Sequence, residues 1–145
     1  SVVAMILWSR HSDKTNERTW HVALACLTAA VGLAIAASTG SMFGLIAALT
    51  IVNVGISCSK PPLWSMPTMF LSGAAAATGI ATINSIGNLG GFAGPAMIGW
   101  VKDQTGSFAG GLYFVAGLLI LSTVLTLVLS FTQKNKANSA ELSNS

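Results

Sequence analysis

A lysine sits among prolines in one of the most apolar parts of the chain. Lys60 lies in GISCSKPPLWSMPTMF, residues 55–70, with Pro61, Pro62 and Pro67 around it and Trp64 four residues on. A cation in a hydrocarbon-spanning helix costs about 2.5–3.5 kcal/mol on insertion scales, and it faces a partner or a water-filled cavity. Proline cannot donate a backbone hydrogen bond and clashes with the preceding turn. The spacing therefore predicts a break near Ser59–Pro62, with freed carbonyls that are tolerated only against protein or a solvated cavity. A cation, freed backbone groups and the Trp64 indole together suit a small organic anion. The alternative is that Lys60 stretches to the inner membrane interface, with Trp64 as a belt residue there. About ten residues separate Lys60 from the end of the apolar segment, which is long for that reach.

A second polar constellation is TINSIGNLGGFAGP, residues 82–95. Asn84 and Asn88 are four apart and share a helix face, which Gly91 continues. Gly87 with Gly91, and Gly90 with Gly94, are small-xxx-small pairs of the kind that let a second helix approach closely. Pro95 is expected to disturb the helix just beyond. Each asparagine either hydrogen-bonds to another helix or meets a polar substrate; for Asn84 both readings stand, and for Asn88 packing is favoured. GNLGG is no nucleotide loop, because no strand precedes it.

The third is SRHSDKTNERTWH, residues 9–21, which holds nearly half of the charged residues. Asp13, Lys14 and Arg18 could form a gate by charge-assisted hydrogen bonds between spans, with Asp13 capping a helix or pairing with Arg10 or Arg18. A solvated turn is the plain alternative. His11 and His21 are ten apart with no third ligand, so no metal site is expected. Cys26 and Cys58 read as small buried hydrophobes. Asp13, Glu17, Asp103 and Glu141 all fall outside the apolar segments, so none of them is placed to carry a coupling proton through the bilayer.

These residues are carried by an unusually apolar chain. Of its 145 residues 52% are hydrophobic and 8% charged, with a mean hydropathy of +0.70. Soluble domains carry about a quarter charged residues, so the membrane class is indicated. The seven basic residues lie in four places without interleaved aromatics, and so make no nucleic-acid face. The opening run SVVAMILW is far shorter than the ~20 residues of a span. It is expected to be the remnant of a longer helix, residues 1–8, in a chain that is part of a larger protein. A cytoplasmic loop at 9–19 follows. Spans are expected at 20–37, 42–71, 74–101 and 112–131, with a disordered polar tail at 132–145. Helices are the open-chain option in lipid, and none of these runs alternates as barrel strands do. Arg10, Lys14, Arg18, Lys134 and Lys136 then share one side, which the positive-inside rule places in the cytoplasm.

The loop, KPPLWSMP, GIATINSIGNLGGFAGP and GWVKDQTGS together resemble the C-terminal half of the major facilitator superfamily, over residues 1 to about 131. The nearest likeness is its anion:cation symporter branch, with bacterial tartrate, phthalate and galactonate transporters. The resemblance implies an all-α integral membrane fold: four complete transmembrane helices plus the end of a fifth, in the C-terminal half of a 12-helix protein. The family's cytoplasmic loop reads roughly G-x-x-x-D-R/K-x-G-R-R/K. Asp13, Lys14 and Arg18 match it, while Ser9, Asn16 and Glu17 stand at its Gly, Gly and Arg positions. In sugar-acid members a tryptophan of the tenth helix and an asparagine of the eleventh contact substrate, and Trp64 and Asn84 fall in the matching motifs. Pro61 replaces a serine one turn before that tryptophan. The resemblance implies proton- or cation-coupled symport of a small organic anion by alternating access, with no cofactor or enzymatic step. It also implies a bacterial inner-membrane location, with lipid and the missing N-terminal half as partners. The rival is a small membrane assembly protein that uses its glycines only for helix pairing.

Overall fold

The computed structural model describes residues 2–15 and 17–143, all within or between five α-helices. These are α1 (Val2–Thr15), α2 (Arg18–Ser38), α3 (Met42–Phe70), α4 (Gly73–Thr105) and α5 (Phe108–Ser143). Among the described residues, three stretches are long and apolar enough to cross a membrane: Arg18–Ser38, Met42–Pro67 and Phe108–Thr132. The expected span at 74–101 lies inside α4. That helix is long, but its glycines, threonines and asparagines dilute its hydropathy.

Local chemistry sets the joints. Ser41 begins α3 by accepting a hydrogen bond from the Gly44 backbone N–H at 3.0 Å, the usual service of an N-cap serine. At the end of α4, Gly106 takes a left-handed conformation (φ 72°) and its N–H donates to Lys102 O at 2.7 Å. Glycine bears this conformation without a Cβ clash.

Three expectations are corrected. α3 is unbroken through Pro61, Pro62 and Pro67, and α4 through Pro95. Proline's fixed φ is itself helical, so a continuous rod survives at the loss of one donor per ring. The carbonyls of Ser57, Cys58 and Leu63, and of Gly91 in α4, are the ones that lose an N–H in this way. Nearby, Ser59 Oγ donates to Ile56 O and Ser65 Oγ to Pro62 O, both at 2.9 Å, tying adjoining carbonyls of the proline segment. Second, α1 continues through most of the expected loop to Thr15, because no Gly or Pro interrupts it. Third, α5 runs past Thr132 into the expected disordered tail, which likewise contains no helix breaker. Ser1, Asn16 and the last two residues of that tail lie outside the described residues, as do the side chains of Lys134 and Lys136.

α2 is the centre of the packing, with α3 on one side and α5 on the other, while α4 leans on α5 and α1 on α3. Its inward residues are small: Ala23, Ala25, Ala29, Ala30 and Ala36 are all buried, with Val22 and Leu33. Small residues matter here because lipid-embedded helices associate through close backbone approach rather than a hydrophobic driving force. The nearest approach is at Gly55 of α3. A Cβ there would lie 2.8 Å from both Ala25 O and Ala29 N. Gly111 of α5 serves likewise against Ile98 of α4, 2.9 Å from its Cγ2.

The glycines expected to seat another helix are elsewhere. A Cβ on Gly87, Gly90, Gly91 or Gly94 would meet no described atom within 4 Å. Among the described residues none of α4 is buried. The prediction is a contrast. Gly55→Ala should lower the unfolding free energy in mild detergent by about 1–3 kcal/mol, through overpacking against α2 backbone. Gly87→Ala should leave it unchanged or raise it by up to ~1 kcal/mol, through helix propensity. Thermal unfolding of the two variants beside the parent measures both.

Candidate functional site

Lys60 is the one charged residue within Met42–Pro67, and it is exposed on α3. Eighteen residues of helix precede it, so it stands ~27 Å along the rod from Met42 at 1.5 Å per residue. Trp64 is one turn further on, 38% exposed, and at i+4 it shares the lysine's face. Continuing the stripe backward reaches Ser57 and then Asn53, whose side chains are joined by a hydrogen bond from Ser57 Oγ to Asn53 Oδ1 at 3.4 Å. Asn53 is exposed, and it lines a cavity of about 330 Å3 with Leu49 and Thr50.

This face of α3 therefore offers an ammonium, an amide, a hydroxyl and an indole N–H. The Ser57 and Cys58 carbonyls, without proline N–H partners, lie in the turn before the lysine. Three of the side-chain groups can donate to a carboxylate, and the hydroxyl can donate or accept. Asn53 and Ser57 were not singled out from the sequence. The signal was present as the 53, 57, 60, 64 spacing, which follows one face of an unbroken helix; an expected break at Ser59–Pro62 hides it.

On α4, Asn84 and Asn88 are both exposed, one turn apart, on the face that continues to Gly91 with its donorless carbonyl. Among the described residues, no hydrogen bond or ion pair joins the α3 group to these asparagines, or engages Lys60, Asn84 or Asn88 with anything else. The structure sets out two polar faces on two helices and does not close them into one pocket.

The expected gate residues come together in part. Arg18, at the start of α2, lies 3.6 Å from Asp13 of α1 through Nη2 and Oδ1. Asp13 is 63% exposed along its side chain, and such surface pairs contribute about 0–1 kcal/mol. Lys14 sits in the last turn of α1, where a cation complements the helix dipole. The helix ends that carry them are held by a stronger cluster that the residue spacing concealed. Trp8 Nε1 donates to His21 O at 3.2 Å, and the rings of His11 and His21 touch, nitrogen to nitrogen, at 2.8 Å. His21 is buried. Beside this cluster a largely apolar cavity of about 490 Å3 opens between α1, α2 and α3, with Trp8, His11, Thr28 and Cys58 in its wall.

No protein-family model and no solved structure matches the chain. Named relatives do. Two proteins of Agrobacterium vitis, each called a putative tartrate transporter, are 75% identical over 132 residues and 76% over 130. These alignments take in 91% and 90% of this chain, and 30% and 29% of the relatives. A quinolone resistance transporter of Acinetobacter baumannii is 35% identical over 127 residues, covering 88% of this chain and 29% of its own length. The chain thus spans about three tenths of the length of these relatives. Over some nine tenths of its own length it is similar to part of proteins named as transporters.

Proposed function

We propose that the chain forms part of a secondary transporter that carries a small organic anion, a carboxylate or sugar acid, across a bacterial inner membrane. It would be the C-terminal portion of a 12-helix protein: the end of one span in α1, then four spans in α2–α5. The segment from residue 9 to the start of α2, and the end of α5, would lie in the cytoplasm by the positive-inside rule. The N-terminal part of the same protein would face α3 and α4, and the rocking of two halves about a midplane site would give alternating access. Symport with a proton or another cation completes the reading.

The observation that carries the site is the exposed ammonium of Lys60 inside an apolar helix, on one face with Asn53 and Trp64. An unpaired cation at that depth is stable against water or an anion, not against acyl chains. The anion's carboxylate would sit on Lys60, with the Trp64 indole and Asn84 donating to its other oxygens. Asn88 would belong to the same face of α4. The names of the most similar relatives support the substrate class, since tartrate is a small dicarboxylate. The open glycine face of α4, from Gly87 to Gly94 and Pro95, would receive helices from the rest of the protein. That role does not favour a stand-alone assembly protein.

Uptake of radiolabelled tartrate by proteoliposomes holding the intact transporter tests this reading. Lys60→Ala should reach the membrane at the parent's level and raise KM by about 10–100-fold. This matches the loss of a charge-assisted hydrogen bond of roughly 1.5–3 kcal/mol. Trp64→Phe, which keeps the ring and removes the N–H, should have a smaller effect. Unchanged kinetics in Lys60→Ala would remove that residue from the site.

A further inference from the structure

The helix pair α1 and α2 is joined by a histidine pair to which the transport reading assigns no role. His21 Nδ1 lies 2.7 Å from Glu17 O. A carbonyl oxygen only accepts, so this nitrogen carries a hydrogen. In neutral His21 the other nitrogen, Nε2, is then a lone-pair acceptor. It is 2.8 Å from His11 Nδ1, which must be the donor. That leaves Nε2 of His11 with a free lone pair, on an exposed residue at the wall of the α1–α2–α3 cavity. Both tautomers follow from the one carbonyl contact.

The two nitrogens with lone pairs respond differently to a proton. A proton from solvent can add to His11 Nε2 and leave every hydrogen bond of the cluster in place. A second can add only at His21 Nε2, whose lone pair already receives the His11 N–H. Two N–H groups on two cations would then point at each other across 2.8 Å. We propose that His11 and His21 form a proton-binding site that latches α1 to α2, closed with no or one added proton and parted by the second.

The neighbouring charges do not relieve the second cation. On α1 these are Arg10, Asp13 and Lys14, and Asp13 is engaged by Arg18 of α2 at 3.6 Å. On α2, Glu17 reaches the pair through its backbone oxygen. From α3 the ionisable side chain at the same cavity is Cys58. α5, on the far side of α2, has Tyr113 as its one ionisable group among the described side chains. Among the described residues, the hydrogen bonds and ring contacts between α1 and α2, besides the ion pair, run through His21 itself: the Trp8 indole donates to its carbonyl, and the Trp8 ring meets its imidazole edge at 5.1 Å. Parting the histidines therefore loosens the junction as a whole.

These 145 residues hold two histidines, so 15N-histidine labelling of the intact protein in lipid nanodiscs, with each ring assigned by the loss of its signals in His11→Asn or His21→Asn, reports on the pair. With both rings neutral, His21 should appear as the Nδ1–H tautomer, with a scalar coupling between the ring nitrogens across the hydrogen bond. Coupling and the Trp8–His21 nuclear Overhauser contact should persist with one imidazolium and be lost with two. A His21 Nε2–H tautomer, absent coupling between neutral rings, or a Trp8–His21 contact unchanged with two imidazolium rings would each overturn the proposal. His11→Asn places an amide where Nδ1 stands, and it can turn either its NH2 or its oxygen toward His21. It should keep the Trp8 contact at every pH; loss on acidification would show that the second cation is not what opens the latch. Should that variant fold poorly, the parent spectra decide alone.

Discussion

Hydrocarbon cannot hydrogen-bond, so every polar group that this chain carries into a membrane must be answered by the protein or by trapped water. That constraint makes the fold helical, and it also singles out the few places where the helices leave groups unanswered. In α3 the proline rings withdraw donors from the carbonyls of Ser57, Cys58 and Leu63 without bending the chain out of its helix. The one cation of that apolar stretch stands between them. In α4 a single proline does the same to Gly91, on the face shared by two asparagines. Unanswered groups and polar side chains thus fall together on both helices, where a ligand or water can satisfy them.

The rest of the molecule is arranged so that these faces can stay open. α2 takes the inner position and spends its surface on alanine and glycine contacts, with Gly55 and Ala29 bringing it against α3 almost backbone to backbone. Thr123 adds a long polar contact from α5 to the Ala23 carbonyl, at 3.5 Å. The three helices make a slab whose rigidity comes from close packing of small residues. α4 is attached to it through α5, chiefly where Gly111 admits Ile98. Further toward its N-terminus, the stretch with Asn84, Gly87, Asn88, Gly90 and Gly91 is exposed among the described residues. A surface of that kind is polar, smooth and apolar by turns, and suits a chain whose relatives are about three times as long.

The all-helical, membrane-embedded character was legible from hydropathy alone, because an apolar run long enough to span has few alternatives. Lys60 was legible as an anomaly for the same reason. What misled was the weight given to proline. Its missing donor is certain from sequence, but its preferred φ is a helical one, and the surrounding helix decides whether the rod breaks. Reading a break also concealed Asn53 and Ser57, since a shared face exists only if the helix runs through. The glycines gave a further lesson: small-xxx-small spacing marks faces that permit close approach, and the partner may lie in another part of the protein. The close contacts within this chain fall instead at Gly32, Gly55 and Gly111, none of which has another glycine four residues away. The histidine pair was invisible because its members sit ten residues apart on different helices, a spacing that suggests no site until the turn between them is folded.

The claim on which the site depends is that residue 60 of α3 faces water within the membrane rather than acyl chains. Placing a single cysteine there, Lys60→Cys with Cys26, Cys58 and any other native cysteine changed to serine, and exposing the intact protein in sealed vesicles to a membrane-impermeant charged maleimide measures it directly. The account predicts labelling that an excess of tartrate slows. A cysteine that remains unlabelled from both sides of the membrane, yet reacts with a lipid-soluble maleimide, would place residue 60 in lipid and contradict it.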